Sequence, residues 1–180
     1  MKILIIAIPR SGSTSLMSNI ANILSLKPVP EPFNPTFTKK VNYTIGEDDV
    51  VVKIITGQDD RYSDIIDWDY WKSFILDFIP QFDKTILLTR MDTKAQLESF
   101  SYASHFKKGW FESYTYESPP YEVISDCKEY LDSSIEAIKE VIRKLKNKGI
   151  HLEIKYYEDF FDVSSEKRLR KSSKSNNTLI

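Results

Sequence analysis

The sequence predicts a single α/β domain of three layers, in which helices flank a mostly parallel central sheet. Two patterns predict this class. Short apolar runs typical of buried strands alternate along the chain with segments whose apolar residues recur every three or four positions, as in helices. The first apolar run also leads through a turn of small residues directly into a helical segment. We expect the domain to occupy residues 1–163 and a basic, polar tail to occupy residues 164–180.

Composition favours a soluble protein and excludes several classes of function. The 180 residues are 41% apolar and 28% charged, and the net charge of −1 gives no overall attraction to nucleic acid or to an anionic membrane. Cys127 is the only cysteine, which excludes an intrachain disulfide and a cysteine metal cluster. No segment approaches the ~20 apolar residues that span a bilayer, and the short apolar run at the N-terminus is unlike a signal peptide. We therefore expect a soluble, cytoplasmic protein without a metal, membrane insertion or a nucleic-acid partner.

An anion-binding loop is predicted near the N-terminus. Residues 3–8 form a nearly unbroken apolar run, typical of a strand buried on both faces, and Pro9 ends it because proline cannot donate to a sheet ladder. Residues 11–15 are Ser-Gly-Ser-Thr-Ser, and apolar residues at helical spacing follow from Leu16. A small-residue turn at a helix N-terminus presents backbone N–H groups at the positive end of the helix dipole. Such a turn favours a phosphate or a similar anion.

The loop is P-loop-like but departs from the Walker A motif, G-x-x-x-x-G-K-[ST]. Aligned on Gly12 and Thr14, the chain has Ala7 in place of the first glycine and Ser13 in place of the lysine that reaches the β- and γ-phosphates. The cation of the loop is instead Arg10, two residues before the glycine. These differences weigh against a nucleoside-triphosphate site.

The run Pro-Arg-Ser-Gly-Ser-Thr over residues 9–14 resembles the 5′-phosphosulfate loop of sulfotransferases, which use 3′-phosphoadenosine 5′-phosphosulfate (PAPS) as donor. The resemblance implies that Arg10 contacts the donor phosphate and stabilises the leaving group. It also implies that the donor 5′-phosphate is held by the backbone of a short run, namely Ser11, Gly12, Ser13, Thr14 and Ser15. The alternative is a serine-rich turn that only connects a strand to a helix.

A proline-rich segment follows the first helix and carries a candidate base. Residues 27–35 contain four prolines, a density that forbids a helix or a central strand and predicts an ordered or extended loop. Glu31 lies between two of these prolines. Several branches of the sulfotransferases have a glutamate in a similar context as the general base, and the resemblance implies that role for Glu31. The alternative is a solvated loop carboxylate.

Two further strands and a helix are predicted. Residues 50–56 form an apolar run interrupted by Lys53, and a charge inside such a run is unfavourable unless it is paired or faces a site. Sulfotransferases commonly have a lysine near the end of the equivalent strand, directed at the transferred sulfuryl group. Otherwise Lys53 is a strand-end lysine that reaches solvent. A helix is predicted over 67–82, and residues 85–89 form a strand that leads directly to Arg90.

A second phosphate-binding element is predicted after that strand. Asp92 or Thr93 can cap a helix that carries Ser99, so that Arg90 at the strand end and Ser99 on the helix converge on one phosphate. Sulfotransferases hold the 3′-phosphate of PAPS with such a pair, and here the two residues are nine positions apart. The run Arg-x-Asp-x-x-Ala-Gln-x-x-Ser is most similar to the bacterial carbohydrate and glycolipid sulfotransferases.

Residues 101–120 are rich in aromatic side chains. In the bacterial branch this region covers the donor and lines the acceptor pocket, with a tryptophan near the position of Trp110. His105 is a second candidate base, because an imidazole titrates near neutral pH. A single histidine on an aromatic helix is more often structural, and we rank Glu31 ahead of it.

The last part of the sequence predicts a long helix, a strand and the basic tail. Apolar residues at three- and four-residue steps predict a helix over 121–148, and residues 151–157 alternate as in a strand. The tail carries five cations within eight positions, Lys171 among them. In sulfotransferases a C-terminal Arg/Lys segment closes over the 3′-phosphate, which implies that role for Lys171. The alternative is a flexible, solvated tail, and the glycine-rich form of the family's segment is absent from the sequence.

Together these resemblances predict a sulfotransferase that moves a sulfuryl group from PAPS to a hydroxyl or amine of a carbohydrate, glycolipid or other small acceptor. The product of the donor is 3′-phosphoadenosine 5′-phosphate (PAP). Only the loops around Arg10 and Arg90 are specific to the family. Two alternatives stay open: a divergent nucleotide or small-molecule kinase, although the loop lacks the lysine, and a catalytically inactive nucleotide-binding protein with the same fold.

Overall fold

Strands and helices alternate along the part of the chain that the computed structural model describes, which comprises residues 1–34, 46, 49–61, 63, 65–106 and 118–160. In chain order the elements are β1 (Lys2–Ala7), α1 (Ser13–Leu24), β2 (Lys27–Pro30), β3 (Val50–Ile55), α2 (Trp68–Phe78), β4 (Lys84–Thr89), α3 (Thr93–Phe106), α4 (Tyr121–Asn147) and β5 (Glu153–Tyr156). Short 3₁₀ turns over Ile79–Gln81 and Tyr157–Asp159 follow α2 and β5.

The five strands form one sheet in the order β2-β3-β1-β4-β5, and every neighbouring pair is parallel. The predicted parallel α/β class is confirmed. β1 lies at the centre of the sheet, where Ile5 pairs with Lys53 of β3 on one side and with Ile86 of β4 on the other. This central position explains why β1 is apolar at nearly every residue.

Helices cover both faces of the sheet and complete the three layers. Successive side chains of a strand point to opposite faces. On one face α1 packs against the odd-numbered residues of β1, through the cluster Ile3, Ile5, Ala7, Leu16, Met17 and Ala21. On the other face α2 and α4 pack against the even-numbered residues, through the cluster Leu4, Ile6, Trp71, Ile75, Ala137 and Val141. α3 packs against α4.

The prediction of a loop over the whole proline-rich segment is wrong for Lys27–Pro30, which form the edge strand β2. The amides of Lys27 and Glu31 donate to carbonyls of the neighbouring chain segment that contains β3. Pro28 and Pro30, which have no backbone N–H, occupy the positions between these donors. At these positions an N–H group would point away from β3. An edge strand tolerates proline at those positions because no strand pairs with its outer side.

α1 starts earlier than its apolar spacing predicts, whereas the start of α3 has a predicted capping residue. α1 begins at Ser13, inside the predicted turn, because Gly12 in the left-handed conformation (φ 77°) precedes it. The Oδ1 atom of Asp92 accepts the amide of Ala95 at 2.9 Å in the first turn of α3, as predicted. Within the described ranges, no helix is long and apolar enough to cross a lipid bilayer.

Candidate functional site

The carboxyl ends of the parallel strands form one edge of the sheet, and several of the predicted site residues lie along it. The connection after β1 leads through α1 to β2 on one side, whereas the connection after β4 leads through α3 and α4 to β5 on the other. A parallel sheet opens a crevice where successive connections diverge in this way, and ligands bind there. Arg10 follows β1 and Arg90 follows β4, so both cations lie at this edge.

The loop after β1 has a compact backbone. Arg10 and Gly12 adopt left-handed conformations, with φ of 64° and 77°, on either side of Ser11. The wholly buried hydroxyl of Ser11 donates to the carbonyl of Ile8 at 2.7 Å, so this side chain holds the turn. Gly12, which has no side chain, directly precedes α1. The first backbone N–H groups of a helix have no carbonyl acceptor within that helix. The backbone of this loop is therefore suited to donate to an anion.

Hydrogen bonds join this loop to α3. The Nε atom of Arg10 donates to the Oγ atom of Ser99 at 3.0 Å. One turn earlier in α3, the Nε2 atom of the buried Gln96 donates to the carbonyl of Pro9 at 2.6 Å. Residues three apart lie on one face of a helix. Gln96 and Ser99 therefore fasten this face of α3 to the loop after β1.

Lys53 links the same loop to Glu31. Its side chain leaves the middle of β3 on the face covered by α1, and the residue is only 3% exposed. The Nζ atom donates to Oε1 of Glu31 at 2.6 Å and to Oγ1 of Thr14, in the first turn of α1, at 3.1 Å. These contacts explain how a buried strand tolerates a charge. The alternative of a strand-end lysine that reaches solvent is wrong.

Glu31 is held at its backbone amide and at both of its carboxylate oxygens. Its amide donates to the carbonyl of Lys53 at 2.7 Å, and its Oε2 atom accepts Nδ2 of Asn34 at 2.7 Å and Nε2 of Gln58 at 2.9 Å. Burial alone would raise the pKa of Glu31, but the hydrogen bond and charge of Lys53, together with the two amides, hold this pKa below its ordinary value of 4.5. Glu31 is therefore ionised at neutral pH, and it is not a freely solvated loop charge.

Arg90 lies beside the segment that follows β5. Its guanidinium is 4.4 Å from the centre of the Tyr157 ring, and its Nε atom is 3.7 Å from Oε1 of Glu158. Glu158 also accepts the amides of Met91 at 3.0 Å and Asp92 at 3.1 Å. Glu158 thus connects the segment that follows β4 to the segment that follows β5. The hydrogen bond between Arg10 and Ser99 likewise connects the loop after β1 to α3. The predicted convergence of Arg90 and Ser99 on one phosphate stays a prediction.

The end of β3 packs against α4 next to Glu31. The Tyr130 hydroxyl donates to the carbonyl of Thr56, and the hydroxyl of Thr56 donates to Oγ of Ser134 at 3.0 Å. Burial raises the pKa of Tyr130 to about 12, and the negative charge of Glu31 acts in the same direction. Gly57 has a φ of 86°, and a Cβ atom there would lie 3.1 Å from the Tyr130 hydroxyl. This turn therefore requires glycine.

The other predicted residues are placed as follows. Thr14 and Ser15 are exposed on the first turn of α1, whereas Ser13 is buried. His105 lies in the last turn of α3 with an exposed side chain. Lys171 and Trp110 lie outside the described residues. In the described part of the chain, no group of three or more His, Cys, Asp or Glu side chains is arranged to hold a metal ion.

The sequence analysis assigned no role to Asn34, Gln58 or Gln96, although Gln96 belongs to the motif that follows Arg90. Two of them carried a local signal: Asn34 lies three residues after Glu31 in a turn-forming segment, and Gln96 lies one helical turn before Ser99. Gln58 carried none, because only the pairing of β2 with β3 brings it to Glu31.

Comparison with known proteins assigns no family to this arrangement. No protein-family model and no curated protein matches the chain. The site is therefore defined by its own geometry. It consists of the loop after β1 with its backbone N–H groups, the Arg10–Ser99 hydrogen bond, and the Lys53–Glu31 ion pair beside them.

Proposed function

We propose that the protein transfers a sulfuryl group from PAPS to a hydroxyl or amine of a carbohydrate, glycolipid or other small acceptor. The observation that supports this proposal is the hydrogen bond between Arg10 and Ser99. The two segments with the resemblance to sulfotransferases are far apart in sequence, yet they meet at the edge of the sheet where parallel α/β proteins bind ligands.

In this proposal the loop after β1 binds the 5′ end of the donor. The amides of residues 11–15 hold the 5′-phosphate, and the guanidinium of Arg10 lies beside the bond that breaks. Arg90 and Ser99 select the 3′-phosphate, so that a nucleotide without this group binds more weakly. The basic residue Lys171 has the same proposed role from the tail.

The reaction that these residues would support is an in-line displacement at sulfur. The acceptor oxygen or nitrogen forms a bond to sulfur, and the bond from sulfur to the oxygen of the 5′-phosphate breaks, leaving its electron pair on PAP. Arg10 and Lys53 neutralise the charge that grows on that oxygen. The acceptor proton passes to a carboxylate oxygen of Glu31, which its partners keep ionised at neutral pH.

The position of Lys53 also bears on the kinase alternative. Its Nζ atom contacts the hydroxyl of Thr14, so a cation reaches the loop from β3 although the loop itself has no lysine. A phosphate-binding loop with such a cation is compatible with a nucleoside triphosphate as well as with PAPS. Binding measurements with matched nucleotides distinguish the two.

The first experiment is calorimetric titration of the protein with PAP, with AMP and with ATP plus magnesium. We expect PAP to bind most tightly, because AMP lacks the 3′-phosphate. Arg90→Ala should weaken PAP binding by about 10- to 100-fold and leave AMP binding nearly unchanged. Glu158→Gln is the matched control, because it alters the surroundings of Arg90 but keeps the guanidinium.

Two results would contradict the proposal. Equal affinity for PAP and AMP would exclude a 3′-phosphate site, and preference for ATP with magnesium would favour the kinase. If PAP binds as expected, PAP release from PAPS is then measured with a panel of sugar, glycolipid, phenol and amine acceptors. Tight PAP binding without transfer to any of them would favour the catalytically inactive nucleotide-binding protein.

A further inference from the structure

Gln58 occupies the place where the edge strand β2 stops beside β3. The two strands pair only as far as Pro30 and Lys53. Beyond that point the Oε1 atom of Gln58 accepts the amide of Ile55 at 3.0 Å, and the backbone amide of Gln58 donates to the carbonyl of Ile55 at 3.1 Å. The side chain thus takes an acceptor position that the next residues of a strand would otherwise fill.

This anchoring fixes the direction of the side-chain amide. Because Oε1 is bound to β3, the NH₂ group of Gln58 faces Glu31, and its Nε2 atom donates to Oε2 at 2.9 Å. An amide oriented in this way can only donate to the carboxylate.

The contact from Gln58 differs from the one made by Asn34. Asn34 donates to the same Oε2 atom at 2.7 Å, but it belongs to the same turn, since its backbone amide donates to the carbonyl of Glu31 at 3.0 Å. Asn34 therefore moves with Glu31. Gln58 is attached to the sheet, as Lys53 is, and it holds one carboxylate oxygen while Lys53 holds the other.

We infer that Gln58 is a positioning residue that orients the Glu31 carboxylate relative to β3 and the loop after β1. The role of Glu31 as a base rests on the proposed function, whereas the orienting contact does not. Among the residues that the structure describes, the charged and titratable groups that face Glu31 include Lys53 from β3 and Tyr130 from α4. Gln58 adds a neutral donor to this set without adding charge.

The variant Gln58→Glu tests the inference sharply. One of its oxygens still accepts the amide of Ile55, but the other places a second carboxylate against Oε2 of Glu31. We expect the titration midpoint of Glu31 to rise by about one pH unit or more. Carbon NMR of the side-chain carboxyl group follows this titration, and the signal that is lost in Glu31→Gln identifies the carboxyl group of Glu31. The control is Gln81→Glu, the same change at an exposed glutamine whose amide donates to a carbonyl of α2.

The outcomes separate this inference from the proposed function. A raised midpoint in Gln58→Glu, with none in Gln81→Glu, supports the positioning role whether or not the protein transfers sulfuryl groups. If transfer is found, the acid limb of kcat should move upward together with that midpoint. An unchanged Glu31 midpoint in Gln58→Glu would overturn the inference. If that variant does not fold, Gln58→Ala, which removes both the donor to Glu31 and the acceptor of the Ile55 amide without adding charge, must still raise the midpoint or the inference fails.

Discussion

The Nε atom of Arg10 donates to the Oγ atom of Ser99 at 3.0 Å, although 89 positions separate the two residues. Their contact follows from the order of the strands. Arg10 comes after β1 and Ser99 lies in the helix after β4, and these two strands are parallel neighbours whose carboxyl ends lie together. The loop that is suited to an anion is therefore fastened to a helix that the sequence associates with a second phosphate.

Arg10→Ala should lower kcat strongly. The arginine is the cation nearest in sequence to the helix start, and loss of one group that stabilises charge in a transition state lowers kcat by about 100- to 1,000-fold. Initial rates with saturating PAPS and acceptor measure this effect. The control Arg143→Ala removes an exposed arginine of α4 and should leave kcat unchanged. Near-normal kcat in Arg10→Ala would refute its assigned role.

Glu31→Gln should lower kcat more than His105→Gln. Glu31 is ionised and adjoins the loop through Lys53, whereas His105 is exposed in the last turn of α3. Loss of a well-placed general base lowers kcat by about 100- to 10,000-fold. Steady-state rates and PAP affinity are compared in both variants. The reverse order, with His105→Gln inactive and Glu31→Gln active, would make His105 the base.

The ionised carboxylate of Glu31 should stabilise the fold at pH values above its ordinary pKa, and this stabilisation should disappear in acid. Its folded-state pKa lies below 4.5 because Lys53, Asn34 and Gln58 outweigh the cost of burial. The contribution is therefore complete above pH 4.5 and disappears as the pH falls through the folded-state pKa. Urea unfolding between pH 7 and pH 3 measures it.

Glu31→Gln is the reference for that measurement. At neutral pH this variant leaves the buried Lys53 without its carboxylate and should be less stable by up to about 3 kcal/mol. The difference between the two proteins should shrink as the pH falls toward 3. A difference that stays constant with pH would mean that the carboxylate contributes no pH-dependent stability.

Gly57→Ala should destabilise the protein more than Gly149→Ala. Both glycines have positive φ, 86° and 71°, so alanine at either position adds backbone strain of about 1 kcal/mol. At Gly57 the new Cβ would also lie 3.0 Å from Cδ1 of Ile66 and 3.1 Å from the Tyr130 hydroxyl, whereas nothing lies within 4 Å at Gly149. We expect an additional loss of about 1 kcal/mol or more in the unfolding free energy. Equal losses would show that the crowding at Gly57 is relieved without cost.

The sequence by itself determined the class of the fold and the position of the loop. Both depend on local patterns: the isoleucine-rich run of β1 is buried on two faces, and the small residues around Gly12 are followed by apolar residues at helical spacing from Leu16. The edge strand β2 was missed because the proline density, which excludes a helix and a central strand, was interpreted as a loop. Only the pairing with β3 reveals that Pro28 and Pro30 fall at positions that need no donor.

The tertiary structure alone decided which side chains meet. From the sequence, Lys53 and Glu31 could each have been a solvent-exposed charge, and their ion pair, with the contacts to Thr14 and Gln58, excludes that interpretation for both. The spacing of apolar residues indicates which face of a helix or strand is buried, so it predicts each element separately. The meeting of residues tens of positions apart depends on strand order and register, which are set by the packing of the whole sheet.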